Sequence, residues 1–350
     1  MRHCKHTIIP AMLFVALCLA TTVYALDDPD HGNASQSCMI SAMESGLFEE
    51  LSLGELRQRC ATSSGRISIE SAIAETDKKD QPVSLLEQRL DTEEAGEHNP
   101  FTLTAHRRNY LLPVTYNNNT NGRPFDVDSD EVENVEAKFQ ISFKFPIWND
   151  IIGDADLWGA YTNISFWQAY NDTNSSPFRD SNHEPEMFLA FQGKRKFLGF
   201  QNTYNTFGVV HQSNGQGGSR SRSWNRVYLH SVFERGNLAI AFKPWYRLPE
   251  DKKSSATDPS GDDNPDIDRF MGYGEITAGY KLDEHVFSVM LRNNLRGSGN
   301  KGAVQLDWTF PLTQHLKGYV QYFNGYGESL IDYDASVNRI GVGIVLTDAL

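Results

Sequence analysis

Long apolar runs, positive charge and cysteine are all scarce in this sequence. Beyond residue 25, no continuous apolar stretch is long enough to form a transmembrane helix. Acidic residues number 45 against 32 Lys and Arg, so the formal net charge is -13, which argues against a nucleic-acid partner. Of the four cysteines, those after residue 25 have no His or Cys neighbour at ligand spacing, which argues against a cysteine-bound metal.

The first 25 residues are predicted to be a signal peptide. Arg2 and Lys5 place positive charge ahead of an apolar run at 8–19, and Val-Tyr-Ala at 23–25 suits a cleavage site. The run is short for a membrane span, and an uncleaved anchor is the alternative. A signal peptide implies that the mature chain leaves the cytoplasm.

Residues 26–97 are polar, acidic and poor in aromatic residues, and we expect them to form a small N-terminal periplasmic extension. The stretch 76–97 carries many charges and few apolar anchors, as mobile linkers do. Cys38 and Cys60 are an even pair, and in an oxidising compartment a disulfide is the default prediction for such a pair.

From Phe101 onward, the period of the sequence changes to two. One strand has an apolar face and a polar face, and its apolar face comprises Ala137, Phe139, Ile141, Phe143, Phe145 and Ile147. A soluble β-sandwich would alternate in the same way. The number of such segments, with Trp and Tyr near their ends, favours an all-β transmembrane antiparallel β-barrel over residues 98–350. Apolar residues at 340, 342, 344, 346 and 350 predict a last strand that runs to the end of the chain.

The predicted loops are of unequal length. The segments 117–130, 171–184, 214–223 and 250–268 are long, polar and rich in turn-forming residues, whereas 311–315 is short. In outer-membrane barrels, long loops lie outside the cell and short turns in the periplasm. His211 precedes one long loop and Asn225 follows it, so both are predicted at the outer-leaflet end of a hairpin.

His211, Ser213 and Asn225 form the pattern with the clearest chemistry. Residues i and i+2 of a strand project to one face, so His211 and Ser213 would project together. After a Gly-rich turn, the returning strand would bring Asn225 beside His211. A base, a hydroxyl nucleophile and an orienting amide follow the logic of a serine hydrolase, with Asn in place of Asp. The alternative is that His211 and Ser213 are polar surface of a strand.

The segment around these residues resembles the signature of the bacterial outer-membrane phospholipase A family. The signature reads His-x-Ser-Asn-Gly, a variable stretch, and then Ser-Arg-Ser-Trp-Asn-Arg, and here it spans 211–226. Further stretches resemble the family in order along the chain, at 98–101, 138–140, 175–179, 243–246, 264–267 and 326–333. The resemblance implies a barrel of about twelve strands with the Ser-His-Asn triad on its lipid-facing side.

The resemblance also implies a calcium ion, whose preferred ligands are oxygen atoms. Ser221 would supply a hydroxyl, Gln216 a backbone carbonyl, and Ser175 a hydroxyl from a neighbouring subunit; the family commonly has Arg where Gln216 stands. Asp263 matches a position associated with a second calcium site, and the alternative for it is an acidic, turn-forming surface loop. The backbone N–H of Gly215 would serve the oxyanion hole.

Asn163 is the residue that the resemblance places between two barrels. Tyr161 and Trp167 would share its face, which suggests that this face contacts lipid. The family has Gln at this place, buried where two barrels meet. The alternative is that Asn163 points into the polar lumen.

Together these observations predict a calcium-dependent phospholipase of the outer membrane. It would act as phospholipase A1 and A2, hydrolysing sn-1 and sn-2 acyl esters of phospholipids and lysophospholipids, and it would be active as a homodimer. Two rival interpretations stay open. One is a passive porin-like channel, and the other is a secreted, soluble calcium-binding β-sandwich.

Overall fold

The computed structural model describes residues 103–128, 131–172, 176–193, 195–255, 258, 261–313 and 316–347. The predicted signal peptide, the extension at 26–97, the Cys38–Cys60 disulfide, Ser175 and the last residue, Leu350, lie outside the described residues. Within them, no helix is long and apolar enough to span a membrane.

Within the described residues, fourteen β-strands make up almost all of the regular structure. In chain order they are β1 (Thr104–Ala105), β2 (Asn109–Asn117), β3 (Val135–Ile152), β4 (Ala155–Trp167), β5 (Phe178–Gln192), β6 (Lys196–Phe197), β7 (Phe200–Ser213), β8 (Ser223–Arg235), β9 (Leu238–Arg247), β10 (Gly274–Leu282), β11 (His285–Asn293), β12 (Gly302–Pro311), β13 (Lys317–Tyr326) and β14 (Ser336–Thr347). In the loops that the structure describes lie a short helix, α1 (Asp268–Met271), and the 3-10 turns Arg123–Phe125 and Gly218–Arg220.

Twelve of these strands close into an antiparallel barrel. Each long strand pairs with its neighbours in the chain, β14 pairs with β2, and β3 pairs with both β2 and β4. The short β1 and β6 only add to the edges of β3 and β7. Closure leaves no open edge among the twelve, as a membrane-spanning sheet requires. The predicted fold, a barrel of about twelve strands, is confirmed.

Strand β3 shows how the alternating sequence is used. Its apolar residues face outward, with Ile141 52% and Phe145 38% exposed. Its polar residues Lys138, Ser142 and Lys144 are buried and face the lumen. Apolar residues outside and polar residues inside are the reverse of the arrangement in a soluble protein. This is the pattern expected when lipid covers the outside of the barrel.

The connections are unequal at the two ends of the barrel. At one end the chain turns within two residues between β3 and β4, β8 and β9, and β10 and β11. Gly153 and Gly236, with φ of 60° and 56°, supply the left-handed conformation that two of these tight turns need. At the other end the connections are long, at 118–134, 168–177, 214–222, 248–273, 294–301 and 327–335.

The sequence overestimated one of the long loops. The segment 171–184 was predicted to be a loop, but β5 already begins at Phe178. Its polar residues Arg179, Asp180, Asn182 and Glu184 are buried in the structure. They belong to a strand, because the inner face of a barrel strand is polar and imitates a loop in composition.

Buried charges link the strands inside the barrel near the long loops. The Glu136 carboxylate accepts from Arg179 at 2.9 Å and from Arg339 at 2.7 Å. Glu328 in turn accepts from Arg339 at 2.8 Å and from Lys138 at 2.9 Å. Such charges are tolerated because each one is paired. The network ties β3, β5 and β14 to the loop at 327–335.

Candidate active site

The β7–β8 hairpin brings His211 and Asn225 together on the outside of the barrel. The two residues are directly paired in the β7–β8 register, and His211 Nδ1 lies 2.8 Å from Asn225 Oδ1. Phe207 and Val209 share the face of His211, and both are about half exposed to the lipid side. Both side chains therefore face away from the lumen, at the end of the hairpin that carries a long loop.

Ser213 follows His211 by two residues and lies on the same outward face. In the register it is paired with Ser223 of β8 and with His183 of β5. Within the part of the chain that the structure describes, no hydrogen bond joins the Ser213 hydroxyl to His211. The structure thus brings His211 and Asn225 into contact and leaves Ser213 beside them. Such catalytic hydrogen bonds are often long until substrate binds.

Gly215 lies where the chain leaves β7 and enters the loop at 214–222. Its φ is 61°, a conformation that favours glycine. A Cβ atom built at Gly215 would lie 3.9 Å from the His183 ring nitrogen Nε2, which is an ordinary van der Waals distance. The backbone conformation of Gly215, and not a lack of space, therefore favours glycine at this position.

Asn214 holds the base of this loop, a role that the sequence analysis missed. Its buried amide oxygen accepts from the backbone N–H of Arg222 at 2.9 Å and of Gln216 at 3.3 Å. Its amide nitrogen donates to Asp180 of β5 at 3.2 Å. The signal was present as an Asn before Gly at a turn, since Asn side chains commonly bind the backbone two residues on.

The predicted calcium ligands are only partly brought together. Ser221 donates to Asp263 Oδ2 at 2.8 Å, and Ser223 donates to the same oxygen at 3.1 Å. Gln216 lies on the same loop as Ser221, whereas Ser175 lies outside the described residues. Lys253 forms a short ion pair with Asp263 Oδ1. Burial alone would raise the pKa of the Asp263 carboxyl, but hydrogen bonds from Lys253, Ser221 and Ser223 hold it below its usual range.

A hydroxyl and a carboxylate that converge in this way are the kind of oxygen ligands that suit calcium. The Lys253 ammonium, however, already supplies positive charge to Asp263. Among the described residues, no three His, Cys, Asp or Glu side chains cluster as a transition-metal site would require. Ser221 and Asp263 thus present oxygen atoms of the kind that calcium prefers, while Lys253 occupies the Oδ1 oxygen of Asp263.

Glu250 is a second residue that the sequence analysis missed. Asn225 Nδ2 donates to Glu250 Oε1 at 2.9 Å, so the Asn225 amide lies between an imidazole and a carboxylate. The Leu248 N–H donates to the Asn225 carbonyl at 2.8 Å and brings the chain after β9 alongside Asn225. Glu250 is 25 residues from Asn225 and lies in an irregular loop, so no local pattern could have indicated the contact.

Asn163 lies on the outer face of β4, in a row of polar side chains that continues onto β5. Its amide nitrogen donates to the Asn182 carbonyl at 3.3 Å and lies 3.4 Å from His183 Nδ1. Tyr161 OH lies 2.6 Å from the same ring nitrogen, and Ser165 donates to Asn163 Oδ1 at 2.9 Å. We call Tyr161, Asn163, Ser165 and His183 the outer polar row. It continues the register of Ser213, because Asn163 pairs with His183 and His183 with Ser213.

Comparisons with known proteins match this chain to phospholipase A1. The sequence profile of the phospholipase A1 family matches residues 86–346. Phospholipase A1 of Klebsiella pneumoniae is 39% identical over 254 residues, covering 71% of this chain and 84% of that protein. Phospholipase A1 of Escherichia coli strain K12 is also 39% identical over 254 residues, covering 71% of this chain and 83% of its own length.

Solved structures give the same result. A crystal structure of the Salmonella typhi outer membrane phospholipase, a dimer with bound calcium, superposes with a TM-score of 0.66 at 38% identity. The match covers 74% of this chain and 97% of that one. Outer membrane phospholipase A from Escherichia coli superposes with a TM-score of 0.65 at 38% identity, covering 71% of this chain and 100% of the other.

Proposed function

The chain belongs to the phospholipase A1 family and is an outer-membrane β-barrel, and on that premise we propose a specific activity for it. It hydrolyses acyl esters of phospholipids and lysophospholipids at both the sn-1 and sn-2 positions, as phospholipase A1 and A2. It depends on calcium and is active as a homodimer. The nucleophile is Ser213, with His211 as its base and Asn225 as the orienter of His211.

The hydrogen bond from His211 to Asn225 carries this assignment. Because Asn225 Oδ1 accepts at Nδ1, His211 bears its proton there and leaves Nε2 free to accept the Ser213 proton. Ser213 Oγ then attacks the ester carbonyl, and His211 gives its proton to the departing alcohol oxygen. Water hydrolyses the acyl-enzyme by the same route. The Gly215 N–H would stabilise the negative oxygen.

The outward position of the site suits a membrane substrate. The ester groups of a phospholipid lie at the boundary between headgroups and acyl chains. His211 and Ser213 lie at the long-loop end of β7 on its lipid-facing side. An acyl chain would then extend along the outer face toward Val209 and Phe207, and the headgroup would lie toward the loops.

Calcium would be held by the loop that follows Ser213. Ser221 supplies a hydroxyl and Gln216 a backbone carbonyl, Ser175 of a second subunit adds a hydroxyl, and Asp263 serves a second site. Bound there, calcium would supply positive charge beside the ester oxygen that becomes negative. The Salmonella typhi relative that crystallised as a dimer with bound calcium supports this part of the proposal.

The dimer would form through the face that carries Asn163. Asn163 lies in the same register as Ser213, so a second barrel packed on this face would reach the site. Two adjoining barrels would enclose the acyl chain in clefts that one barrel lacks. A passive channel would account for the barrel, but it gives no reason for an orienting amide on an outward-facing histidine.

The decisive experiment compares four proteins refolded in detergent. We expect the wild type to release fatty acid from phospholipid with calcium and to stop when EDTA is added. Ser213→Ala and His211→Ala should each lower kcat by about 10⁴-fold or more, because nucleophile and base act as a unit. Ser231→Ala is the matched control, since Ser231 is another half-buried serine of the same hairpin, away from the site.

The readout separates the competing functions. Release of both fatty acids from position-labelled phospholipid supports A1 and A2 activity together. Full activity in Ser213→Ala would remove the nucleophile from the proposal. Ion conductance by the wild type without any ester cleavage would support the channel instead.

A further inference from the structure

We propose that Glu250 is a positioning residue of this active site and supplies, through Asn225, the carboxylate that a Ser-His-Asn triad lacks. The inference rests on the proposed function, because it assigns a role in that same reaction. The observation behind it is a chain of two hydrogen bonds, from His211 to Asn225 at 2.8 Å and from Asn225 to Glu250 at 2.9 Å.

The first consequence concerns the orientation of the Asn225 amide. An amide has one end that accepts and one end that donates, and the two ends are similar in size. A carboxylate can only accept, so Glu250 binds the NH2 end. The oxygen end is thereby directed to His211. Glu250 decides which end of Asn225 the imidazole meets.

The second consequence concerns the proton on His211. With the amide oxygen at Nδ1, the ring proton is held on Nδ1 and Nε2 can accept from Ser213. If the amide turned over, its NH2 would bind Nδ1 and the proton would move to Nε2. The base would then have no lone pair for Ser213, which is the wrong-tautomer defect known from serine proteases.

The third consequence concerns charge. When His211 takes the Ser213 proton it becomes positive, and a neutral amide alone stabilises that charge poorly. Glu250 places a negative group directly behind the amide and polarises its carbonyl toward the imidazole. Among the described residues, no Lys or Arg forms an ion pair with Glu250, so its charge is directed to Asn225.

The chain around Glu250 is anchored on both sides of the contact. The Leu248 N–H donates to the Asn225 carbonyl at 2.8 Å. Arg247 Nη2 donates to Asp262 at 2.6 Å, and Lys252 forms a backbone bridge with the same residue. Glu250 lies between these attachments, so its carboxylate is held near Asn225 by the fold of the loop.

An exchange of the two side chains tests the proposal on the full-length protein with calcium. Glu250→Gln should lower kcat about tenfold with little change in KM, because Gln can bind either end of the Asn225 amide. Asn225→Asp should lower it as well, because two carboxylates then face each other. The double variant N225D/E250Q should recover at least tenfold over either single variant, since the carboxylate introduced at position 225 accepts both from His211 and from the amide introduced at position 250.

Asp251→Asn is the matched control, because it removes a neighbouring negative charge without touching Asn225. Heat-dependent mobility on gels checks that each barrel has folded. If Asn225→Asp does not fold, kcat of Glu250→Gln decides alone. An unchanged kcat in Glu250→Gln, or a double variant no better than the product of the two single effects, overturns the proposal.

A readout that needs no activity separates this proposal from the proposed function. Nitrogen NMR of labelled histidine in micelles should show the His211 proton on Nδ1 in wild type and a mixture of both tautomers in Glu250→Gln. A single Nδ1–H form in both proteins overturns the role of Glu250, even if Ser213→Ala has abolished hydrolysis. Conversely, an active Ser213→Ala would defeat the proposed function while the tautomer shift still stood.

Discussion

At the scale of single residues, Lys253 would compete with calcium at the second site proposed at Asp263. The Lys253 ammonium pairs with Asp263 Oδ1, while Ser221 and Ser223 bind Oδ2. Replacing Lys253 by Gln should free a carboxylate oxygen, remove a neighbouring positive charge and tighten calcium binding several-fold. Calorimetric titration of the refolded protein with calcium measures this directly. Lys252→Gln is the control for net charge, and equal affinities in the two variants would contradict the competition.

The contacts of Asp263 also make the stability of the loop at 248–273 depend on pH. Because the pKa of Asp263 is held below its usual range, mainly by bonds from Lys253, Ser221 and Ser223 acting against burial, its contacts stabilise the fold above the ordinary Asp pKa. That contribution is lost as the pH falls through the lowered pKa. Acidity should therefore loosen the contacts of Ser221 with the loop at 248–273 before the barrel unfolds.

The sequence predicted the candidate residues of the β7–β8 hairpin, but not the residues from other strands and loops that contact them. His211, Ser213 and Asn225 could be placed because period two and a single turn fix which face each one occupies. Glu250 and Lys253 could not, because they come from a loop after the next strand, and loop contacts depend on the three-dimensional path of the chain. His183 was missed for another reason: it lies in the segment 171–184, which was predicted to be a loop, whereas the structure places it in β5, paired with Ser213 of β7.

At the scale of elements, the inner face of β5 binds the loop at 327–335 and the start of the loop at 214–222. Asn182 accepts from the Leu330 N–H at 2.9 Å, and Asp180 accepts from the Ile331 N–H at 3.0 Å. The loop they hold carries Tyr333, whose ring lies 5.7 Å from the Arg222 guanidinium of the loop after β7. The inner face of one strand thus positions two loops.

Removing one of these acceptors should destabilise the fold measurably. Asn182→Ala leaves the buried Leu330 N–H without its partner, which we expect to lower the free energy of unfolding by about 1–3 kcal/mol. Guanidinium unfolding in lipid vesicles, followed by tryptophan fluorescence, gives the value. Asn237→Ala, in an exposed turn, should be almost neutral. A neutral Asn182→Ala would mean that the loop is held elsewhere.

Strands were predictable from alternation, and their ends were not. The apolar face of β3 identified a lipid-facing strand correctly, because every second residue must satisfy the bilayer. The start of β5 was misplaced, because its inward side chains are as polar as those of a loop. The polarity of a residue indicates whether its surroundings are polar or apolar. In a barrel both the lumen and the loops are polar, so polarity alone cannot separate an inward-facing strand position from a loop.

At the scale of the whole molecule, the outer polar row bears on association. Its amide and hydroxyl groups lie on a membrane-facing surface, where unpaired polar groups are costly, and within one subunit they bind one another. Asn163→Ala should weaken dimerisation while leaving calcium binding by the monomer nearly unchanged. Because coupling is reciprocal, calcium should promote dimerisation of the wild type by the factor by which dimerisation tightens calcium.

Sedimentation velocity in detergent across a calcium titration, with activity followed in parallel, measures both effects. Leu306→Ala is the control, since Leu306 is a half-exposed outward residue of β12 on another part of the barrel. A wild type that stays monomeric and fully active throughout the titration would contradict the dimer. The serine mechanism would survive that result.

Because the proposed site faces outward on β7, the amount of substrate that it meets is set by the lipid composition of the membrane and not by a concentration in solution. A site that opens sideways does not sample a solution; lipids reach it by lateral diffusion within one leaflet. The quantity that governs its rate is then the mole fraction of substrate lipid in that leaflet, and adding more vesicles of the same composition changes nothing for a barrel already inserted. The lipid composition of the leaflet beside the site therefore sets the substrate supply of each inserted barrel.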